Sequence, residues 1–254
     1  MCRLFGIVAD KKVDPGYYFF DADVPFKDFM EREINRGPHN SGWGIGWFDK
    51  GKWNIFKEGK DNITKYDFSK IRSIKSEMLV IHLRHASVGG ESTKNTHPFV
   101  YGKWIFAHNG SIKREEIIKH LNSDFKRKLK GDTDSEVYFM LIMQYFEESK
   151  DIVGAIKKTV EVIRGIEHKG INFLLSDGEK MYAFRDFSQE VKHLEDYYCL
   201  HYMHKGDEII ISSDPLTKNG EWKAVKVGEL VCFDKKLNVE SVKLRKEDLK
   251  RQDN

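Results

Sequence analysis

Segments that alternate apolar with polar residues, or run through β-branched ones, occupy both ends of this chain, while helix-period segments gather in its middle. A parallel sheet needs a crossover helix after nearly every strand, so this grouping points to an α+β fold rather than a βαβ one. Strands are predicted at 3–9, 43–49, 52–57, 77–84, 103–108, 170–176, 180–186, 197–203, 207–212 and 228–233. Asp49-Lys50-Gly51 and Asp177-Gly178 supply turn chemistry for two hairpins. Helices are predicted at 25–36, where Phe26, Phe29, Met30 and Glu33 keep helical spacing, at 112–121 behind Ser111 as a cap, and at 134–148 and 151–164. The remaining long stretches, 10–24 and 85–102, read as irregular loops of the kind that bind ligands or close over a site.

No repeat, low-complexity run or Pro/Ser-rich linker interrupts the 254 residues, and a single domain over 1–254 is expected. Its last ~10 residues are mostly charged and read as a solvated tail. With 43 basic and 40 acidic residues the net charge is +3, so no global field points to a nucleic-acid or membrane partner. Lys126-Arg127-Lys128 with Lys130 is the densest basic cluster, and reads as a solvated helix end or loop. No apolar stretch approaches the roughly 18 residues of a membrane span, and no secretory leader is recognisable, so a soluble, cytoplasmic protein is expected. Cys2, Cys199 and Cys232 are an odd, scattered set, which argues against a disulfide framework or zinc knuckle. Cys199 and Cys232 are expected in the core, on strands.

Cys2 directly follows Met1. Removal of Met1 would put a thiol and a free α-amine on one residue, with ordinary pKa values of about 8.5 and about 7.7–8.0, so that the amine can take the thiol's proton near neutrality. A retained Met1 would block that amine. By itself Cys2 reads first as a small buried residue, and the rest of the chain is what changes that reading. Further along come Arg36-Gly37-Pro38-His39-Asn40-Ser41-Gly42-Trp43-Gly44, then His82-Leu83-Arg84-His85-Ala86-Ser87, His108-Asn109-Gly110-Ser111 and Thr133-Asp134-Ser135-Glu136. Each also has a plain structural meaning. Asn109-Gly110 is a common turn pair, Thr133 with two acids is a helix start, and Arg84 can be an ordinary strand-end charge. Gly42, Gly44 and Gly46 lie in an alternating strand with no helix after it, which discounts a phosphate loop.

Together, these five elements in this order resemble the class II glutamine amidotransferases, the cysteine branch of the N-terminal-nucleophile hydrolases. The resemblance runs from Cys2 to at least Glu136 and implies a four-layer αββα sandwich of two antiparallel sheets. It also implies roles. Thiolate attack on a γ-carboxamide places charge on oxygen, and Asn109 and Gly110 match the donors of the oxyanion hole, each such donor being worth roughly 2.7–4 kcal/mol. Arg84 supplies a fork for glutamine's α-carboxylate, with Ser87 beside it, and Asp134 takes the α-ammonium. His97 in Asn95-Thr96-His97-Pro98 matches a further element and, like His108, is expected to hold strands and loop by hydrogen bonds. A metal site built from His82, His85, His97 and His108 is disfavoured by ligand spacing, and neither metal nor cofactor is expected.

The chain departs from the family where many members read R-G-x-D-S-x-G: Arg36 and both glycines remain, but His39 stands at that Asp. His85 replaces a Trp or Leu, and Ser87 a Thr. The expected activity is hydrolysis of glutamine or a γ-glutamyl compound through a Cys2 thioester, because no segment is left to encode a synthase. The alternatives are a glutaminase subunit delivering ammonia to a separate synthase, and a non-catalytic binding or regulatory protein on this scaffold.

Overall fold

The computed structural model describes residues 2–29, 41–59, 66–85, 90 and 92–244. Among them one antiparallel sheet contains β1 (Arg3–Val13), β2 (Trp43–Asp49), β3 (Lys52–Glu58), β4 (Ser76–Leu83), β9 (His201–Lys205), β10 (Glu208–Ser212) and β11 (Lys223–Ala224). A second contains β5 (Phe99–Tyr101), β6 (Trp104–Ile112), β7 (His168–Ser176), β8 (Lys180–Arg185), β12 (Glu229–Asp234) and β13 (Val239–Lys243). Their spatial orders are β11-β9-β10-β1-β4-β2-β3 and β13-β12-β8-β7-β6-β5. Two long helices, α1 (Asp134–Ser149) and α2 (Ile152–Arg164), are joined by Lys150 in the left-handed conformation. Thr133 Oγ1 caps α1 by accepting from Glu136 N–H at 3.2 Å, and Asp151 Oδ1 caps α2 through Val153 N–H at 3.1 Å.

Strand alternation assigns each side chain to a layer. On β1, Leu4 and Val8 face the second sheet, packing with Met78, Val80, Ile105, Ala107 and Leu174. Phe5, Ile7 and Ala9 face the other way. That outer surface is covered by the aromatic turn Tyr17–Asp21, by Phe26 and Phe29, and by the short helix Ser69–Arg72. On the far side of the molecule, Phe106, Phe173 and Phe184 of the second sheet pack under Tyr138, Phe139 and Ile142 of α1 and Ile156, Val160 and Ile163 of α2. The expected helix–sheet–sheet–helix layering is therefore present, one helical layer being two long helices and the other, over its described residues, short turns.

Several boundaries differ from expectation. β1 continues to Val13, which pairs with Ser76 past an irregularity in the β1–β4 ladder, and the exposed Lys11 and Lys12 pair with Asp207 and Asp49 at neighbouring hairpin turns. The predicted loop 10–24 thus holds the end of a strand and a helical turn whose Tyr18 and Phe19 are buried. Most of the predicted helix 25–36 lies outside the described residues. The predicted helix 112–121 begins instead at Arg114, since β6 extends through Ser111 and Ile112, and Ser111 caps nothing. Residues 197–203 are not one strand: Gln189–Tyr198 forms 3-10 turns and β9 starts at His201. Cys199 is therefore off the strands, and Cys232 on β12 is half-buried rather than core. Lys126 closes a short helical turn, Ser123–Lys126, with Arg127 and Lys128 exposed beyond it. No described helix is long and apolar enough to cross a membrane.

Phe106 is fully buried and lies parallel to Phe139, ring centroids 5.2 Å apart and planes 1° from parallel. Phe106→Ala is expected to lower unfolding free energy by about 3–5 kcal/mol, read from urea unfolding of the two proteins.

Candidate active site

The layer assignment brings Cys2, His82 and Asn109 to one end of the space between the sheets, where β6 ends beside Asp134. Arg3 pairs with Leu83 in the β1–β4 register, so Cys2 stands alongside Arg84. By alternation Cys2 shares a face with Leu4, His82 with Val80, and Asn109 with Ala107, all turned toward the opposite sheet. Cys2 is half-buried, its thiol set against the backbone of His85: His85 N–H donates to Sγ at 3.3 Å, and the thiol faces His85 O at 3.5 Å. Burial pushes the thiol's pKa up; the His85 N–H and the Arg84 guanidinium pull it down, and the Asp134 carboxylate adds to the rise.

Arg84 is 2% exposed, in the two-residue step beyond β4. Its backbone N–H donates to Gly42 O at 2.8 Å and its Nη1 to Ser41 O at 3.0 Å and Gly90 O at 3.4 Å. Backbone carbonyls from two other segments thus fix the direction of the fork.

Asn109 and Gly110 come from β6 where it pairs with Asn172 and Ile171 of β7. The pairing becomes irregular between Gly110 and Ile112, the kind of bulge that re-aims a strand end. Position 110 has no room for a side chain: a Cβ there would lie 1.7 Å from Gly170 O. Asn109 Nδ2 donates to Tyr197 O at 3.5 Å, while its buried Oδ1 has no hydrogen-bond partner among the described residues.

Asp134 opens α1 and is buried. Its Oδ2 accepts from Ile112 N–H at 2.7 Å and its Oδ1 from Ser135 N–H at 2.9 Å, and the helix N-terminus favours its charge. Ser135 Oγ lies a further 3.4 Å from Oδ1, and three contacts leave room on a carboxylate, which can take about four. His108 faces α1, between Ser135 Oγ at 2.9 Å on Nδ1 and Gly170 O at 3.2 Å on Nε2. A carbonyl only accepts, so Nε2 carries the proton and the serine hydroxyl donates to Nδ1. Burial holds the His108 pKa below its ordinary value against the pull of Asp134 and Gly170 O.

His97 differs from the expected role. Neither ring nitrogen has a hydrogen-bond partner among the described residues; the ring is clasped between His82, at 4.0 Å, and Phe99, at 4.6 Å. It supports the site by packing, and burial keeps it neutral, well below its ordinary pKa. His82 Nε2 sits 3.1 Å from His108 O, tying the two sheets together. Arg36, Ser87 and Met1 lie outside the described residues. Among the described residues no three His, Cys, Asp or Glu side chains converge as metal ligands.

The structure adds residues that the sequence reading did not single out. Asn172 donates through Nδ2 to Tyr198 O at 2.9 Å and accepts from Asp186 N–H at 3.0 Å. A lone Asn on the inward face of an apolar strand was its available signal. Arg185 and Tyr198 gave no comparable one, because their contacts run through backbone carbonyls.

The family model for class II glutamine amidotransferases matches residues 1–253. The chain belongs to this family. A candidate glutamine amidotransferase of Haemophilus influenzae is 30% identical, with 92% of this chain and 84% of that protein covered. One from Escherichia coli K12 is 26% identical over 92% of this chain and 97% of its own. Among solved structures, a class II glutamine aminotransferase domain protein of Silicibacter pomeroyi superposes with a TM-score of 0.67 at 19% identity, covering 95% of this chain and 98% of that one. The glutamine phosphoribosylpyrophosphate amidotransferase of Bacillus subtilis gives 0.65 at 18%, covering 96% of this chain and 49% of that one. The last two establish likeness of fold.

The buried histidines give this amidotransferase a signed pH dependence. His97 and His108 titrate below their ordinary value when folded and near about 6.5 when unfolded, so the unfolded chain binds more protons in that window. Their contribution is complete above about pH 6.5 and is lost as pH falls through that value toward the folded pKa values. The urea midpoint is expected to drop between about pH 8 and about pH 5.5, and His97→Phe to flatten that slope.

Proposed function

We propose that this amidotransferase hydrolyses the γ-amide of glutamine or of a γ-glutamyl compound through a γ-glutamyl thioester on Cys2. The observation that carries this reading is the convergence of the Cys2 thiol, the Arg84 fork, the Asn109–Gly110 pair and the Asp134 carboxylate at one end of the inter-sheet space. With Met1 removed, the α-amine of Cys2 takes the thiol proton and the thiolate attacks the γ-carbonyl carbon. The carbonyl electron pair moves onto oxygen, facing the Asn109 amide and the Gly110 N–H. Collapse expels the amine, which receives the proton held by the α-amine, and water then cleaves the thioester to free glutamate and thiol. A half-buried thiol with a raised pKa makes a local base necessary. Arg84 binds the substrate's α-carboxylate and Asp134 its α-ammonium; Ser87 and Arg36 are assigned to the same carboxylate end and its loop. The free cysteines suit the reducing cytoplasm, and this chemistry calls on no cofactor.

One observation favours a second reading, a glutaminase subunit that passes ammonia to a separate synthase. The Bacillus subtilis amidotransferase is matched over only 49% of its length, so there this domain belongs to a larger enzyme. The Escherichia coli relative, matched over 97% of its length, has almost no chain outside this domain and supports the hydrolase.

Release of ammonia from glutamine and of amines from γ-glutamyl amides tests the proposal. Cys2→Ala is expected to abolish turnover, and Asn109→Ala to lower kcat by about 10²–10³. Full activity in Cys2→Ala would contradict it, and turnover only with an added synthase would favour the subunit.

A further inference from the structure

A cavity of about 180 Å³ lies where β3 and β5, edge strands of the two sheets, meet the first turns of α1. Lys57 of β3, Lys94, Phe99 of β5, Lys130, and Glu136 and Met140 of α1 line it. None of Cys2, Arg84, Asn109, Gly110 or Asp134 borders it. It is smaller than the roughly 300–1,000 Å³ of pockets for drug-sized ligands, and suits a molecule of a few heavy atoms.

The Lys57 side chain is half-buried, and its stem passes over Gly44, where a Cβ would lie 2.9 Å from Lys57 Cγ. Its Nζ donates to Thr96 O at 2.8 Å and stands 5.5 Å from the centre of the Phe99 ring. No carboxylate pairs with it among the described residues. Glu136, the acid in the cavity wall, is taken up by the backbone N–H groups of Lys130 at 3.0 Å and Gly131 at 2.7 Å. The exposed Lys130 ammonium has no ion pair among the described residues, and Lys94 spends one donor on Asp132 at 2.9 Å. The wall thus carries three ammonium groups against one carboxylate. Burial first pulls the Lys57 pKa down to about 8; the Glu136 charge opposes the fall and the Lys130 charge adds to it. At about pH 7.5 roughly a quarter of such amines are neutral, against about one in a thousand for an ordinary lysine. The bond to Thr96 O uses one N–H, so the lone pair of the neutral amine points off that axis.

We propose that Lys57 is a modification site, its amine taking the acyl group of a small acyl phosphate whose phosphoryl end is held by Lys94 and Lys130. The Nζ lone pair attacks the acyl carbon and forms the N–C bond. The C–O bond to phosphorus oxide breaks with its electron pair on phosphate, which also receives the Nζ proton, leaving an amide and inorganic phosphate. The amide removes a positive charge beside Thr96, the residue before His97, whose neutral state the Lys57 charge helps to maintain.

The intact protein is treated with acetyl phosphate at about pH 7.5, and acetylation of each lysine is followed by peptide mass. Lys57 is expected to react about tenfold faster than the exposed Lys75 and Lys119, the larger neutral fraction outweighing its lower basicity. Burial without such a site would make Lys57 among the slowest, and a rate no greater than those two overturns the proposal. N-hydroxysuccinimidyl acetate, an uncharged acyl donor, reads the amine alone. The ratio of the two rates at Lys57 is expected to fall severalfold in Lys94→Gln/Lys130→Gln, whose side chains are exposed. An unchanged ratio overturns the phosphoryl contact. Inorganic phosphate added to the native protein is expected to slow capture of Lys57 by acetyl phosphate and not by the ester, and equal slowing or none would count against the site in the same way. These readouts need no γ-glutamyl substrate, so they stand or fall apart from the Cys2 chemistry.

Discussion

The first strand is buried on both faces and paired on both edges, and the site depends on that. β1 lies between β10 and β4, with Leu4 and Val8 in the inter-sheet core and Phe5, Ile7 and Ala9 under the aromatic cover of the outer face. Gly6 lets Met181 and Leu174 of the opposite sheet close in: a Cβ there would lie 2.8 Å from Met181 Sδ. Slipping the strand by one residue would exchange its two faces and turn Cys2 away from Asn109. A nucleophile at an otherwise loose chain end is thus fixed by the packing of the residues behind it.

The same burial sets the electrostatic problem. A half-buried thiol resists ionisation, and the described surroundings answer with a backbone N–H from His85 and the guanidinium of Arg84. Nearby His97 and His108 stay neutral because they are buried, so they serve as spacers and hydrogen-bonding struts rather than charges. Asp134 works against the thiolate, which suits a carboxylate whose proposed task is to meet an ammonium when substrate is present. On this account a bound α-ammonium relieves part of the penalty on Cys2, coupling substrate binding to nucleophile ionisation.

Patterns with a short period carried most of the fold. Segments such as 43–49, 77–84 and 170–176 alternate or run apolar because they are central strands, and α1 and α2 carry caps at Thr133 and Asp151 that the sequence displays. Where side-chain pattern and backbone partner part company, pattern alone misplaces the element. Lys11 and Lys12 look like loop residues yet lie in β1, whose backbone pairing resumes at Val13–Ser76, and 197–203 reads as a strand although Asn172 and Arg185 hold Tyr198, the end of the 3-10 turns. Cys2, Arg84, Asn109, Gly110 and Asp134 were found through family resemblance, which reports type and order. It carries no contact geometry, so hydrogen bonds were expected for His97, whose ring is held instead by His82 and Phe99.

The central claim is that Cys2 forms a γ-glutamyl thioester, and the direct measurement is intact mass before and after 6-diazo-5-oxo-norleucine, a glutamine-analogue electrophile, with the N-terminal peptide sequenced. A chain without Met1 that gains a single adduct, located on Cys2, is the predicted result. A free N-terminal Cys2 that takes no label, or label carried by Cys199 or Cys232 instead, would contradict it.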